Sequence, residues 1–123
     1  MDRDHEVDVL ITAWENLLGA ILKLLGRQGI TVPLPGQRVL PGLTQAALQR
    51  TLFILNADDT GVPGVKEATT TIIVRWLAAG DILENAYGDP SPWRLAAGLL
   101  FTREVQDRIE EINEVLDWRD SQN

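Results

Sequence analysis

Between His5 and Arg27 the chain is apolar on more than one side of a helix. Val7, Ile11, Trp14, Leu18, Ile21 and Leu25 recur at steps of four and three, a sustained heptad spacing. Leu10, Leu17 and Leu24 add a further row beside them. A helix with one core contact shows a single apolar stripe roughly 100° wide. This helix is therefore predicted to be covered on two sides, by its own core and by a neighbouring copy. Leu10, Leu17 and Leu24 are the residues expected at that second contact.

Gly26 and Gly29 end this helix, and Pro33, Pro35 and Pro41 keep residues 28–43 from helical structure. An ordered loop is expected here. Its fixed φ angles lower the entropy lost on docking. Pro33, Leu34, Pro35, Arg38 and Leu40 are accordingly candidate partner contacts. The competing reading folds Ile30, Val32, Leu34, Val39 and Leu40 back onto the body of the protein as a lid.

A second helix is predicted from Thr44, as N-cap, through Leu48, Leu52, Phe53 and Leu55 to about Asn56, with Asp58-Asp59-Thr60-Gly61 as a plain turn. The third carries six β-branched residues, Thr69 to Val74, which taken alone favour a strand. Its flanks are good helix formers, and Val65, Ala68, Ile72, Ile73, Trp76 and Leu77 share one helical face, so helix is expected. It continues toward Ala86 past a kink at Gly80. After the Gly88–Pro92 break, Ser91 as N-cap and Pro92 at the first helical position open a fourth helix running toward Trp118. A kink is expected near Gly98–Thr102. Val105, Ile109, Ile112 and Leu116 form its seam, and Glu104 and Arg108 are a favourable i,i+4 pair. The fold class is thus all-α: one domain over residues 1–123, four main helices in a bundle, and a long Pro/Gly-containing loop after the first.

Chemistry is sparse. The chain has no cysteine, which excludes disulfides and thiolate metal sites, and one histidine, His5, at a solvated helix start. Glu110, Glu111, Glu114 and Asp117 have helical spacing but lack a matching acidic pair on another helix, so a solvated face is expected. No catalytic residue, cofactor or metal site is assigned, and no enzyme activity is expected. A net charge of −7 repels nucleic acid, so no direct nucleic-acid readout is expected. The acidic start is unlike a signal peptide, and Lys23 interrupts the apolar run Leu17–Leu25. A virion-borne or cytoplasmic chain, with no membrane partner, is the expectation. Trp14, Trp76 and Trp118 fall on apolar helix faces and are expected in the core. Trp93, at a helix start, is expected to be partly exposed as an interface anchor.

The stretch Val62-Pro63-Gly64-Val65-Lys66-Glu67-Ala68, the apolar helix to Leu83, the Gly88–Pro92 break and the charged helix Thr102–Trp118 together resemble the small helical connector or adaptor proteins of tailed bacteriophages. The resemblance covers about half of the chain. It implies a non-enzymatic, ring-forming virion component at the head–tail junction. Its partners would be copies of itself and a portal or tail protein. A small acidic helical binding module that regulates or inhibits a partner protein is the alternative from another class.

Overall fold

The computed structural model describes residues 2–57, 64–89 and 91–122, and the regular structure within them is entirely helical. The helices are α1 (Asp2–Arg27), α2 (Leu43–Ala57), α3 (Val65–Asn85) and α4 (Pro92–Ser121). α3 is central and packs against each of the others. α1 also meets α4, whereas among the described residues the one helix that α2 lies against is α3. The Asp58–Gly61 turn lies outside the described residues.

Side-chain contacts fix the directions. Near the middle of α1 and α3, Trp14 and Trp76 stack with centroids 4.2 Å apart and planes 14° from parallel. Each indole donates to the other residue's carbonyl: Trp14 Nε1 to Trp76 O at 2.7 Å and Trp76 Nε1 to Trp14 O at 2.9 Å. Both polar handles of two buried tryptophans are thus satisfied by the helix they pack against. Gln28 at the end of α1 donates to Thr69 Oγ1 near the start of α3, at 3.0 Å. Tyr87, just past α3, donates to Asp8 at the start of α1. α1 and α3 are therefore antiparallel. Arg27 reaches Asn113, Asp117 and Asp120, so α1 and α4 end side by side. Arg75 pairs with Glu104 at 2.7 Å across the antiparallel α3–α4 contact.

Two glycines allow these approaches. A Cβ on Gly80 would stand 2.9 Å from Trp14 Cε2 and closer still to Cζ2. One on Gly98 would stand 2.9 Å from Leu83 Cγ. The sequence reading expected kinks at both places. α3 and α4 each continue as helix through these positions. The missing side chains serve helix–helix contact.

The β-branched run is helical because its environment outweighs propensity. Ile72 and Ile73 are fully buried. The hydroxyls of Thr69, Thr70 and Thr71 donate to the carbonyls four residues back, at 2.7, 2.9 and 3.0 Å, so they are satisfied within the helix. At the start of α3, Glu67 accepts the Gly64 N–H at 3.0 Å.

α1 ends where Gly29 takes φ 79°, which lets the Ile30 N–H return to the Leu25 carbonyl at 2.9 Å. The loop then runs back along α1. Ile30 is buried, Val32 and Val39 pack on the core, and Gln37 lies against Gly19. α2 begins one residue before the expected cap. Thr44 turns backward, its hydroxyl accepting the Leu40 N–H at 2.8 Å.

Candidate interaction surface

The surplus apolar surface of α1 is covered within the chain in part. Leu24 is 0% exposed and lies in the core, one turn before the Arg27 that grips α4. This corrects its assignment to a contact between copies. Leu10 and Leu17 are half-buried and packed against the same core. The outward face of α1 is mostly polar, with Asp8, Thr12, Asn16 and Lys23 exposed and Val9 its large apolar exception. By length and composition the helix segment His5–Arg27, whose most apolar 18-residue stretch has mean hydropathy 1.5, is long and apolar enough to cross a membrane, with Lys23 inside it. Of its apolar side chains Trp14, Leu18, Ile21, Leu24 and Leu25 are buried in the core, Leu10, Ile11, Leu17 and Leu22 are half-buried, and Val9 is exposed.

The loop residues divide. Pro33, Pro35 and Arg38 are exposed, Leu34 and Leu40 half-buried. Arg38, Gln37 and Val39 line a shallow cleft of about 350 Å³ with Thr12, Glu15 and Asn16 of α1. The inward side of the loop thus acts as a lid on α1, while its proline ridge and Arg38 face outward.

The exposed apolar residues lie mainly on α2 and α4. On α4 the buried seam is Thr102, Val105, Ile109, Ile112 and Leu116. Trp93, Leu100, Val115 and Trp118 fall within about 60° of one another at 100° per residue, on the opposite side. Trp118 is 66% exposed, not a core residue as its sequence neighbours implied. Trp93 is 59% exposed, yet it is held. The Arg94 guanidinium sits 4.6 Å over its ring. Asp89, which bonds Ser91 Oγ at 2.5 Å, holds Arg94 in place at 3.3 Å. The Ser91 hydroxyl first, and Arg94 second, keep the Asp89 carboxyl below its ordinary pKa. Glu104 binds Arg75 rather than Arg108, which lies 4.0 Å from Glu111.

A strip over the outward side of α3 joins two grooves. Thr70, Thr71, Val74, Arg75 and Ala78 line one of about 390 Å³ with Phe101 of α4, and Arg75 lies 5.9 Å over the Phe101 ring. Leu77, Ala78, Asp81 and Glu84 line the other, about 370 Å³, with Gln45 and Gln49 of α2. Ala78 belongs to both, so the strip is continuous, apolar at its centre and acidic at the end nearer the α3 C-terminus. α2, which flanks it through Gln45 and Gln49, also carries Phe53, 74% exposed, and a single charge, Arg50, in fifteen residues.

Sequence reasoning missed Phe53 and Ile54 as surface residues. The available signal was the run Leu52-Phe53-Ile54-Leu55, which covers every side of a helix with almost no charge. Among the described residues, no three His, Asp or Glu side chains converge where a metal ion could be held. Comparison with protein families, with characterised proteins and with solved structures found no match to this chain.

Proposed function

We propose that this chain is a non-enzymatic structural assembly protein that forms a ring or other oligomer, in the manner of a phage head–tail connector. The supporting observation is the set of large apolar side chains exposed on α2 and α4 although the bundle has a full core of its own: Phe53, Ile54, Trp93, Leu100 and Trp118 are each more than half exposed. Groups of exposed apolar side chains, aromatic ones above all, mark sites where another surface docks. Trp93 is in addition pre-oriented by Arg94, which lowers the ordering cost of binding. In this reading the partners are copies of the chain and adjoining structural proteins such as a portal or tail component. Helix spacing alone carries the likeness to connectors, and Val62 and Pro63 of that stretch lie outside the described residues.

Light scattering on purified protein from about 1 to about 200 µM tests the reading, a range that brackets micromolar self-association. A mass above that of one chain, rising to a fixed multiple, is the expected result. A single-chain mass throughout, both alone and with lysate of a phage-infected host, would overturn it. The acidic binding-module reading draws on Asp107, Glu110 and Glu114, which stand exposed on α4. It requires instead a monomer that binds a basic partner and loses it in salt.

A further inference from the structure

The strip over α3 and the outer side of α2 are complementary in polarity and charge. The strip has an apolar centre at Val74, Ala78 and Phe101, followed by Asp81. Asp81 is exposed and has no ion-pair partner among the described residues. α2 offers Phe53, its most exposed apolar side chain, and Arg50 three residues earlier. Arg50 is exposed, and among the described residues its one hydrogen bond is a 3.5 Å contact to the Ala46 carbonyl of its own helix. In a chain of net charge −7 most approaches between copies are repulsive, and a lone arginine on an otherwise uncharged helix is the exception.

We propose that the strip over α3 receives α2 of a second copy, Phe53 seated on Ala78 and Val74, and Arg50 against Asp81. The inference rests on the self-assembly reading above and adds the place of contact. The spacing supports an antiparallel docking. Arg50 and Phe53 are three residues apart on α2, and Asp81 and Ala78 three apart on α3, so both pairs rise by about 4.5 Å. With the incoming α2 antiparallel to α3, apolar meets apolar and cation meets carboxylate in one register. The parallel orientation places Arg50 near Arg75 instead. Within one chain α2 already lies antiparallel to α3: Gln45 and Gln49 stand beside Asp81 and Glu84, and Lys66 reaches the Asn56 carbonyl. An α2 arriving from a second copy would therefore continue the alternation of α2 and α3. Every neighbouring pair is then antiparallel, and Phe53 leaves solvent.

Full-length wild type, Phe53→Asp, Arg50→Glu, Asp81→Arg and the double variant Arg50→Glu/Asp81→Arg would be compared by sedimentation equilibrium and by thermal melting. Phe53 is 74% exposed in the single chain, so its replacement should leave the melting temperature of the dissociated protein unchanged. Self-association should weaken at least about tenfold in Phe53→Asp and in each charge reversal. In the double variant the new glutamate and arginine face each other, and association should recover most of the loss. A wild type that assembles while Phe53→Asp assembles equally well would overturn this contact and leave the assembly reading standing, with the interface elsewhere. So would a double variant no better than either single one. A wild type that stays monomeric throughout would overturn both.

Discussion

Replacing Gly80 by alanine sets two effects of opposite sign against each other. In an open helix the change stabilises by about 1 kcal/mol, because glycine loses more backbone entropy on folding. At this position the new methyl meets the Trp14 ring, 2.9 Å from Cε2 and nearer still to Cζ2. The ring has little room to yield. It is stacked on Trp76 at 4.2 Å and tied by two indole hydrogen bonds of 2.7 and 2.9 Å. Overpacking of this kind costs about 1–3 kcal/mol. A displaced ring also leaves a buried carbonyl or N–H unpaired, for about 1–3 kcal/mol more. The net expectation is a loss of about 3 kcal/mol. With an unfolding entropy of about 2.1 cal/mol/K per residue, 123 residues give about 0.26 kcal/mol/K, so the melting temperature should fall by about 11 °C. Urea denaturation followed by tryptophan fluorescence should give a lower midpoint at an unchanged slope. Gly26→Ala supplies the internal standard. Nothing lies within 4 Å of a Cβ there, and about 0.4–1 kcal/mol of stabilisation is expected. A Gly80→Ala protein as stable as Gly26→Ala would refute the close packing of α1 on α3.

Leu24→Glu should abolish cooperative folding rather than merely weaken assembly, since it places a carboxylate in a fully buried site; a folded, dissociated variant by circular dichroism would contradict that. Replacing residues 33–41 with a Gly-Ser link should lower the melting temperature by several degrees through the loss of Val39 from the core, and an unchanged melt would mean that the loop is not a lid. Acid should destabilise the fold through two exposed carboxylates. Asp120 is held below its ordinary value of 3.8 by Arg119 first and Arg27 second. Asp89 is held below 3.8 by the Ser91 hydroxyl and then Arg94. The folded form binds these protons less readily than the unfolded form, so their contribution is present above 3.8 and lost as the pH falls through the folded values. The fall in melting temperature between about pH 5 and about pH 2 should accordingly be shallower in Asp89→Asn/Asp120→Asn, and an identical slope would sink the assignment.

The helices were legible because the chemistry that stops a helix is local. Gly29, Pro33 to Pro41, Gly64 and Pro92 each act on their own backbone, and the observed ends fall within a few residues of where those residues put them. The seam of α4 was legible too, and it contained an unused inference. Trp118 lies two residues beyond Leu116, a rotation of about 200°, so a helix that buries one must expose the other. The number of apolar rows on α1 was also readable. What periodicity does not encode is the source of the cover. Leu24 and Leu17 look equally available to a second copy until α4 and the loop are placed. Both are then half or wholly enclosed by the same chain. α2 is the reverse case. Its run of four apolar residues reads as core, yet among the described residues α2 touches one helix and keeps Phe53 outside. A row of leucines on a helix that meets two others is needed for folding. A phenylalanine on a helix that meets one is free for association, and that difference is set by the count of neighbouring elements rather than by any residue in the row.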